Sequence, residues 1–299
     1  MQIMGRSRGF TLSLAGINNM QTTKEKTQTA ELCSVCYASG HLDDGEICGA
    51  CEGEGHLNPE RFLFNEKEHI YTLDGHALHG TTTVLAVIAK PALIPWAAKT
   101  VVDHIKENAD QLSLNEGTLE YYKVTPKLLE EAKVAHTKKK EKAGKLGTDV
   151  HKEIEEWINA CIKNHGGNPV VMGVTSPQTT EFIQWAIVRD VKFLASEKRL
   201  YSETLWTAGT ADFVCEIDGK LYIGDVKTSS GIYPEYYIQA SAYAKMAEEM
   251  KLYKNFGGVI IVNVKKTGGI EVKENFDIEG NFECFKACLT IYRQLKAIK

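Results

Sequence analysis

Trp206-Thr-Ala-Gly209-Thr-Ala-Asp212-Phe213-Val-Cys215-Glu-Ile217-Asp218-Gly219-Lys-Leu221-Tyr-Ile-Gly-Asp225-Val226-Lys227-Thr228-Ser229 reads as two strands joined by a tight turn at Asp218-Gly219. Side chains alternate along a strand, so Asp225 and Lys227 share one face and Val226 takes the other. On the partner strand Phe213, Cys215 and Ile217 alternate with Val214 and Glu216, and Asp212 stands at the mouth of the hairpin. Two acidic side chains and one ammonium are thereby aimed at one spot. That combination suits a divalent metal, a phosphate and an attacking water.

About sixty residues upstream lies Gly147-Thr148-Asp-Val150-His151-Lys-Glu-Ile154-Glu155-Glu-Trp157-Ile158. Val150, Ile154, Trp157, Ile158 and Cys161 recur at helical spacing, with Thr148 as the expected N-cap. His151 and Glu155 are one turn apart on the same face. After the hairpin, Gln239 and Tyr243 repeat the four-residue spacing on a further predicted helix.

The set Gly147, Thr148, His151, Glu155; Gly209, Asp212; Asp225, Lys227; Gln239, Tyr243 resembles, in this order, the motifs of the PD-(D/E)XK nuclease superfamily in its RecB-like, phage-type exonuclease branch. Any single motif is weak, because an Asp-x-Lys triplet arises by chance in many chains. The resemblance covers about residues 61–299. It implies an α/β fold with a restriction-endonuclease-like core, a mixed central sheet flanked by helices. It further implies a metal-dependent deoxyribonuclease with His151, Glu155, Asp212, Asp225 and Lys227 as catalytic residues, DNA as substrate, and a single-strand-binding or recombination protein as a further partner. The expected setting is the cytoplasm of a bacterial or phage-infected cell, in DNA recombination, repair or degradation.

The residues themselves support Mg²⁺ or Mn²⁺ as cofactor. Asp212 and Asp225 offer hard anionic oxygens and the Val226 carbonyl a neutral one, while the His151 imidazole favours Mn²⁺. Lys227 is placed to orient or acidify the attacking water and to offset transition-state charge. Glu155 either meets a second metal or steadies His151. Gln239 and Tyr243 contact DNA phosphate or pack their helix on the sheet. Glu203, just before the hairpin, joins the acidic group or pairs with a nearby cation.

A net charge of −4 does not by itself advertise a nucleic-acid partner. A local basic strip is enough, however, since phosphates act within about a Debye length, roughly 10 Å. Lys138, Lys139 and Lys140, with Lys142 and Lys145, form such a strip or a solvated helix face. The composition, 43% hydrophobic and 25% charged, is that of an ordinary globular protein, and no apolar run approaches the roughly 18 residues that span a bilayer. No membrane association is expected.

Four of the eight cysteines fall together, as Cys33-x-x-Cys36 and Cys48-x-x-Cys51. The spacing fits a tetrahedral four-thiolate Zn²⁺ site, in a glycine-rich segment too poor in aliphatics to fold on burial alone. A redox dithiol and an iron–sulfur cluster are the alternatives. The second pair, continuing through Gly53 and Gly55, is similar to one unit of DnaJ-type zinc modules. The expected organisation is a flexible segment over 1–30, a zinc module over 31–57 and the nuclease domain over 61–299. Helices are expected from Thr81 to Ala89, from Pro95 as N1 to about Asn108, and from near Pro126 to His165 with a break at Gly144–Thr148. Others are expected from the Ser176-Pro177 cap to about Ser196, from Pro234 to Met250 and from about 279 to 298, with strands near 199–206, 210–217, 220–227, 258–264 and 270–275. Cys284 and Cys288 read as buried residues of the last helix.

Three activities compete on this reading. They are an exonuclease, a structure-specific or defence endonuclease, and a catalytically inactive zinc-containing nucleic-acid-binding protein. The intact acidic and lysine set argues against the last.

Overall fold

A computed structural model describes residues 61–113, 120–171, 173 and 175–298. The cysteines at 33, 36, 48 and 51, and the flexible segment expected over 1–30, lie outside the described residues. In chain order the elements are β1 (Phe62–Asn65), β2 (Ile70–Leu73), β3 (His76–Ala77), β4 (His79–Gly80), α1 (Thr81–Leu85) and α2 (Leu93–Asn108). β5 (Asp110–Ser113), β6 (Glu120–Lys123), α3 (Pro126–Lys133), α4 (Ala135–His165) and α5 (Pro177–Val188) follow. The chain ends with β7 (Lys192–Ser202), β8 (Thr207–Ile217), β9 (Lys220–Lys227), α6 (Pro234–Glu249), β10 (Gly258–Val264), β11 (Ile270–Asn275) and α7 (Ile278–Ala297).

The architecture is a mixed sheet between helical layers. Its strands run β11-β10-β9-β8-β4, with β7 along the other edge of β8. β9 and β10 are parallel, which requires the crossover that α6 provides, whereas β7–β8, β8–β9 and β10–β11 are antiparallel. Asp218 and Gly219 both have left-handed φ, 52° and 71°, as a two-residue hairpin turn demands. On one face Val214, Ile223, Val259 and Ile261 pack with residues of α6 and α7. On the other, Phe213, Cys215, Val226, Ile260 and Val262 pack with Val150, Ile154 and Trp157 of α4 and Phe182 of α5. Burial on both faces accounts for the nearly continuous apolar run of β10, all of whose residues are buried. Among the described residues no helix is long and apolar enough to cross a membrane.

Several local expectations are corrected. α4 runs unbroken through Gly144–Thr148, so Thr148 is not an N-cap; its hydroxyl donates to the Gly144 carbonyl 3.2 Å away, within the helix. The break falls instead at Val134, between α3 and α4. The helix begun at Ser176-Pro177, whose Ser176 hydroxyl does cap Thr179 N–H, stops at Val188 and not near Ser196. Residues 192–196 join β7, because they pair with the C-terminal half of β8. Pro95 lies inside α2, which starts at Leu93, and the helix expected from Thr81 to Ala89 ends at Leu85. Cys284 is exposed and Cys288 half-buried, contrary to their reading as buried.

Candidate active site

The site forms where β8 runs out of partners. β7 occupies one edge of β8 along nearly its whole length. On the other edge β9 pairs with Phe213 to Ile217, and β4 with Thr207 and Ala208. Gly209 to Asp212 face the gap between them, and the β8–β9 ladder ends at Phe213 opposite Gly224. Asp212 and Asp225 therefore stand at the point where the two strands part. The Asp212 carboxylate bridges that divergence by accepting the Val226 N–H at 2.6 Å.

His151 and Lys227 join the two aspartates here. His151 Nδ1 lies 3.6 Å from Asp212 Oδ2. Lys227 Nζ sits 2.6 Å from Asp225 Oδ2 and 5.0 Å from the centre of the Tyr236 ring. Asp225 is only 1% exposed. Burial, reinforced by the neighbouring charge of Asp212 and opposed by Lys227 and His151, pushes its carboxyl up from the usual aspartate range. Burial works against the charge of Lys227, but Asp225 and Asp212 outweigh it and hold the ammonium above the usual lysine range.

The motif glycines have a visible purpose. A Cβ on Gly147 would come within 2.8 Å of the Thr228 hydroxyl, so its absence lets α4 close onto the end of β9. A Cβ on Gly209 would strike the Tyr243 ring, with the phenol oxygen at 2.9 Å and Cζ at 3.0 Å. Tyr243 is 3% exposed, and its hydroxyl accepts from Gln239 Nε2 at 3.0 Å. It buttresses β8 from α6, which is the packing role read for it as one of two alternatives.

A second set of bonds fixes α4 against its neighbours. Glu153 Oε2 accepts from the Ser176 hydroxyl and N–H and from the Thr179 hydroxyl, which together hold its carboxyl below the usual glutamate range. Lys266, just past β10, donates to the Ala143 carbonyl at 2.7 Å. Lys138, Lys139 and Lys140 are exposed on α4. Lys139 acts together with Lys99 and Lys106 of α2 on Asp103, so the basic strip extends over two helices. Glu203 pairs with Arg61 at 2.6 Å and stays out of the acidic group.

Sequence reasoning missed Glu197. It falls between the helix and the strand expected there, and no turn or periodicity marks it. In the fold it lies on β7 between Ser196 and Lys198, which pair with Phe213 and Ala211, and thus level with Asp212. Its φ of 46° is left-handed, a conformation that costs a non-glycine residue about 1–2 kcal/mol. Burial first, then the charges of Asp212 and Glu155, push its carboxyl up to about 8, with Arg199 pulling the other way. Tyr236, beneath Lys227, was also not foreseen.

Among the described residues no three His, Cys, Asp or Glu side chains form a ready-made metal shell. The oxygens best placed for one are engaged, Asp212 by the Val226 N–H and Asp225 by Lys227. The donor set nevertheless suits a divalent ion in its chemistry. Burial first, and the charges of neighbouring carboxylates after it, raise the pKa values of Glu197 and Asp225, and a hard cation offsets both effects. Comparison of the chain with protein-family models and with curated proteins returns no match.

Proposed function

We propose that this chain is a metal-dependent deoxyribonuclease of the PD-(D/E)XK type, RecB-like branch, acting as an exonuclease on DNA. One observation carries the reading. Four motifs spread from Gly147 to Tyr243 meet in a single constellation, in which Gly209 packs on Tyr243 and Gly147 on Thr228, the residue after Lys227. Packing alone does not require a 1%-exposed aspartate beside a lysine at the divergence of two strands, because breaking such a buried pair is strongly destabilising and an apolar pair would serve as well.

In this reading Asp212, Asp225, the Val226 carbonyl and His151 hold Mg²⁺ or Mn²⁺. The ion, when bound, supplies Lewis-acid polarisation of the phosphate and a water of lowered pKa. Lys227 keeps its proton under the influence of both aspartates and orients the attacking water or the departing oxygen. Tyr236 supports the ammonium from below by a cation–π contact. Glu155 and Glu197 complete the acidic wall. Cys33, Cys36, Cys48 and Cys51 are proposed to bind one structural Zn²⁺, in a module that holds DNA or a partner protein and does not cut.

The test is digestion of linear against covalently closed circular plasmid with Mn²⁺ or Mg²⁺. Loss of the linear form with survival of the circle is the expected result. Attack on the closed circle moves the assignment to an endonuclease, and no cleavage of either, with every metal, refutes the catalytic reading in favour of a binding protein.

A further inference from the structure

Beside the site, a cleft of about 450 Å³ opens between the β1–β2 hairpin and the β7–β8 pair, lined by Phe64, Glu66, Glu155, Glu197, Arg199 and Thr210. Arg199 is the one cation among these six, beside three carboxylates, of which Glu155 and Glu197 belong to the acidic wall proposed to face the metal and Glu66 stands at the rim. Its guanidinium carbon lies 5.2 Å from the centre of the Phe64 ring, and its nearer nitrogen is 3.5 Å from Glu66 Oε1. The platform beneath it is fixed. Phe64 stacks on Tyr71 with ring centres 4.4 Å apart, and Tyr71, 5% exposed, is bonded through its hydroxyl to Thr210 at 2.9 Å.

The Glu66 side chain, by contrast, is 83% exposed, so its pairing with Arg199 is a weak rim contact. A phosphate offers a guanidinium two parallel charge-assisted bonds and displaces such a partner. The position of Arg199 is also set by register. It pairs with Thr210, two residues before Asp212, which places it about 7 Å along β8 from the proposed metal ligand.

We propose that this cleft is a phosphate-binding subsite, in which Arg199, carried on the Phe64 platform, takes the DNA phosphate next to the scissile one. The inference rests on the nuclease reading and adds a residue that none of the four motifs contains. Arg199 reaches the substrate strand. Phe64 is a positioning residue acting through it.

The experiment uses short single-stranded oligonucleotides with one uncharged methylphosphonate linkage moved step by step along the strand. Cleavage is followed with Mn²⁺, and binding by fluorescence anisotropy with Ca²⁺. In the parent protein a neutral linkage beside the cut should raise KM about tenfold, the worth of one lost charged hydrogen-bond pair, with kcat little changed. Arg199→Ala should show that loss on the unmodified strand and no further loss on the modified one, and Arg199→Lys should recover part of it. Phe64→Ala should give a smaller effect of the same kind and Phe64→Tyr none. The slope of log affinity against log salt should fall by about one in Arg199→Ala. Parent-like KM in Arg199→Ala, or undiminished sensitivity to the flanking methylphosphonate, overturns the subsite. If the parent cuts no DNA, the nuclease reading fails while the binding arm still judges Arg199: unchanged affinity and salt slope in Arg199→Ala overturn the subsite, and their loss upholds it as a phosphate site without cleavage. A parent that does not bind the strand overturns both.

Discussion

Replacing Gly209 by alanine tests whether the Gly209–Tyr243 contact organises the site. The new Cβ meets the Tyr243 ring, whose phenol oxygen would lie 2.9 Å away, and the ring is 3% exposed between β8 and α6. Neither neighbour can step aside into solvent. Overpacking of this kind costs about 1–3 kcal/mol, against a gain of about 0.5–1 kcal/mol from the stiffer unfolded chain, for a net destabilisation of about 0.5–2 kcal/mol. Tyr243→Ala, which empties a buried aromatic position, should cost about 3–5 kcal/mol by analogy with other aromatic truncations. In the double variant the clash has gone, so the alanine at 209 should be neutral or stabilising by a few tenths of a kcal/mol or more. The coupling between the two sites is then about 1–3 kcal/mol in favour of the pair. Urea unfolding of metal-free protein at fixed pH measures all four corners of the cycle. Activity adds a second readout, since a shift of β8 displaces Asp212 three residues on, and a 1 Å displacement costs a catalytic group about 100-fold. Additive effects in the cycle would refute the claim that Gly209 is glycine because Tyr243 packs there.

Other expectations follow from the same geometry. Asp225→Asn preserves volume but leaves the Lys227 ammonium without its buried partner, so cleavage should be abolished and the metal-free thermal midpoint should fall; a variant within about tenfold of parental activity would remove Asp225 from the reaction. His151→Ala should weaken Mn²⁺ binding more than Mg²⁺ binding, as titration calorimetry with each ion can establish. Glu197 has an ordinary pKa of 4.5 raised to about 8 by folding, so its ionisation opposes the folded state. That penalty is absent below about pH 4.5, grows between the two values and is complete above about 8. Metal-free protein should therefore lose thermal stability over this window, Glu197→Gln should flatten the loss, and an unchanged profile in that variant would show that Glu197 is not the titrating group. Protein purified without added metal should carry about one zinc per chain, lost on joint replacement of Cys48 and Cys51 by serine, and elemental analysis finding none would exclude the zinc module.

Local chemistry was enough to read the hairpin from β8 through Asp218-Gly219 to β9, the Ser176 cap, and the succession α6, β10, β11, α7, because turn residues, capping side chains and apolar period act within a few residues of one another. The grouping of Asp212, Asp225 and Lys227 was legible from strand alternation about a tight turn, and His151 was joined to them by the resemblance in motif order. Tertiary structure decided what depends on partners distant in the chain. α4 passes through Gly144–Thr148 without breaking because Gly147 fits against Thr228 and Lys266 binds the Ala143 carbonyl, contacts that span about 80 and 123 residues. Residues 192–196 became strand because β8 offered them an edge, whatever their own propensity. Tyr243 is buried because α6 crosses directly over Gly209. Glu197 entered the site through strand register, and its raised pKa comes first from burial and then from charges contributed by β8, α4 and β9; no local pattern in the chain encodes an environment assembled from separate elements.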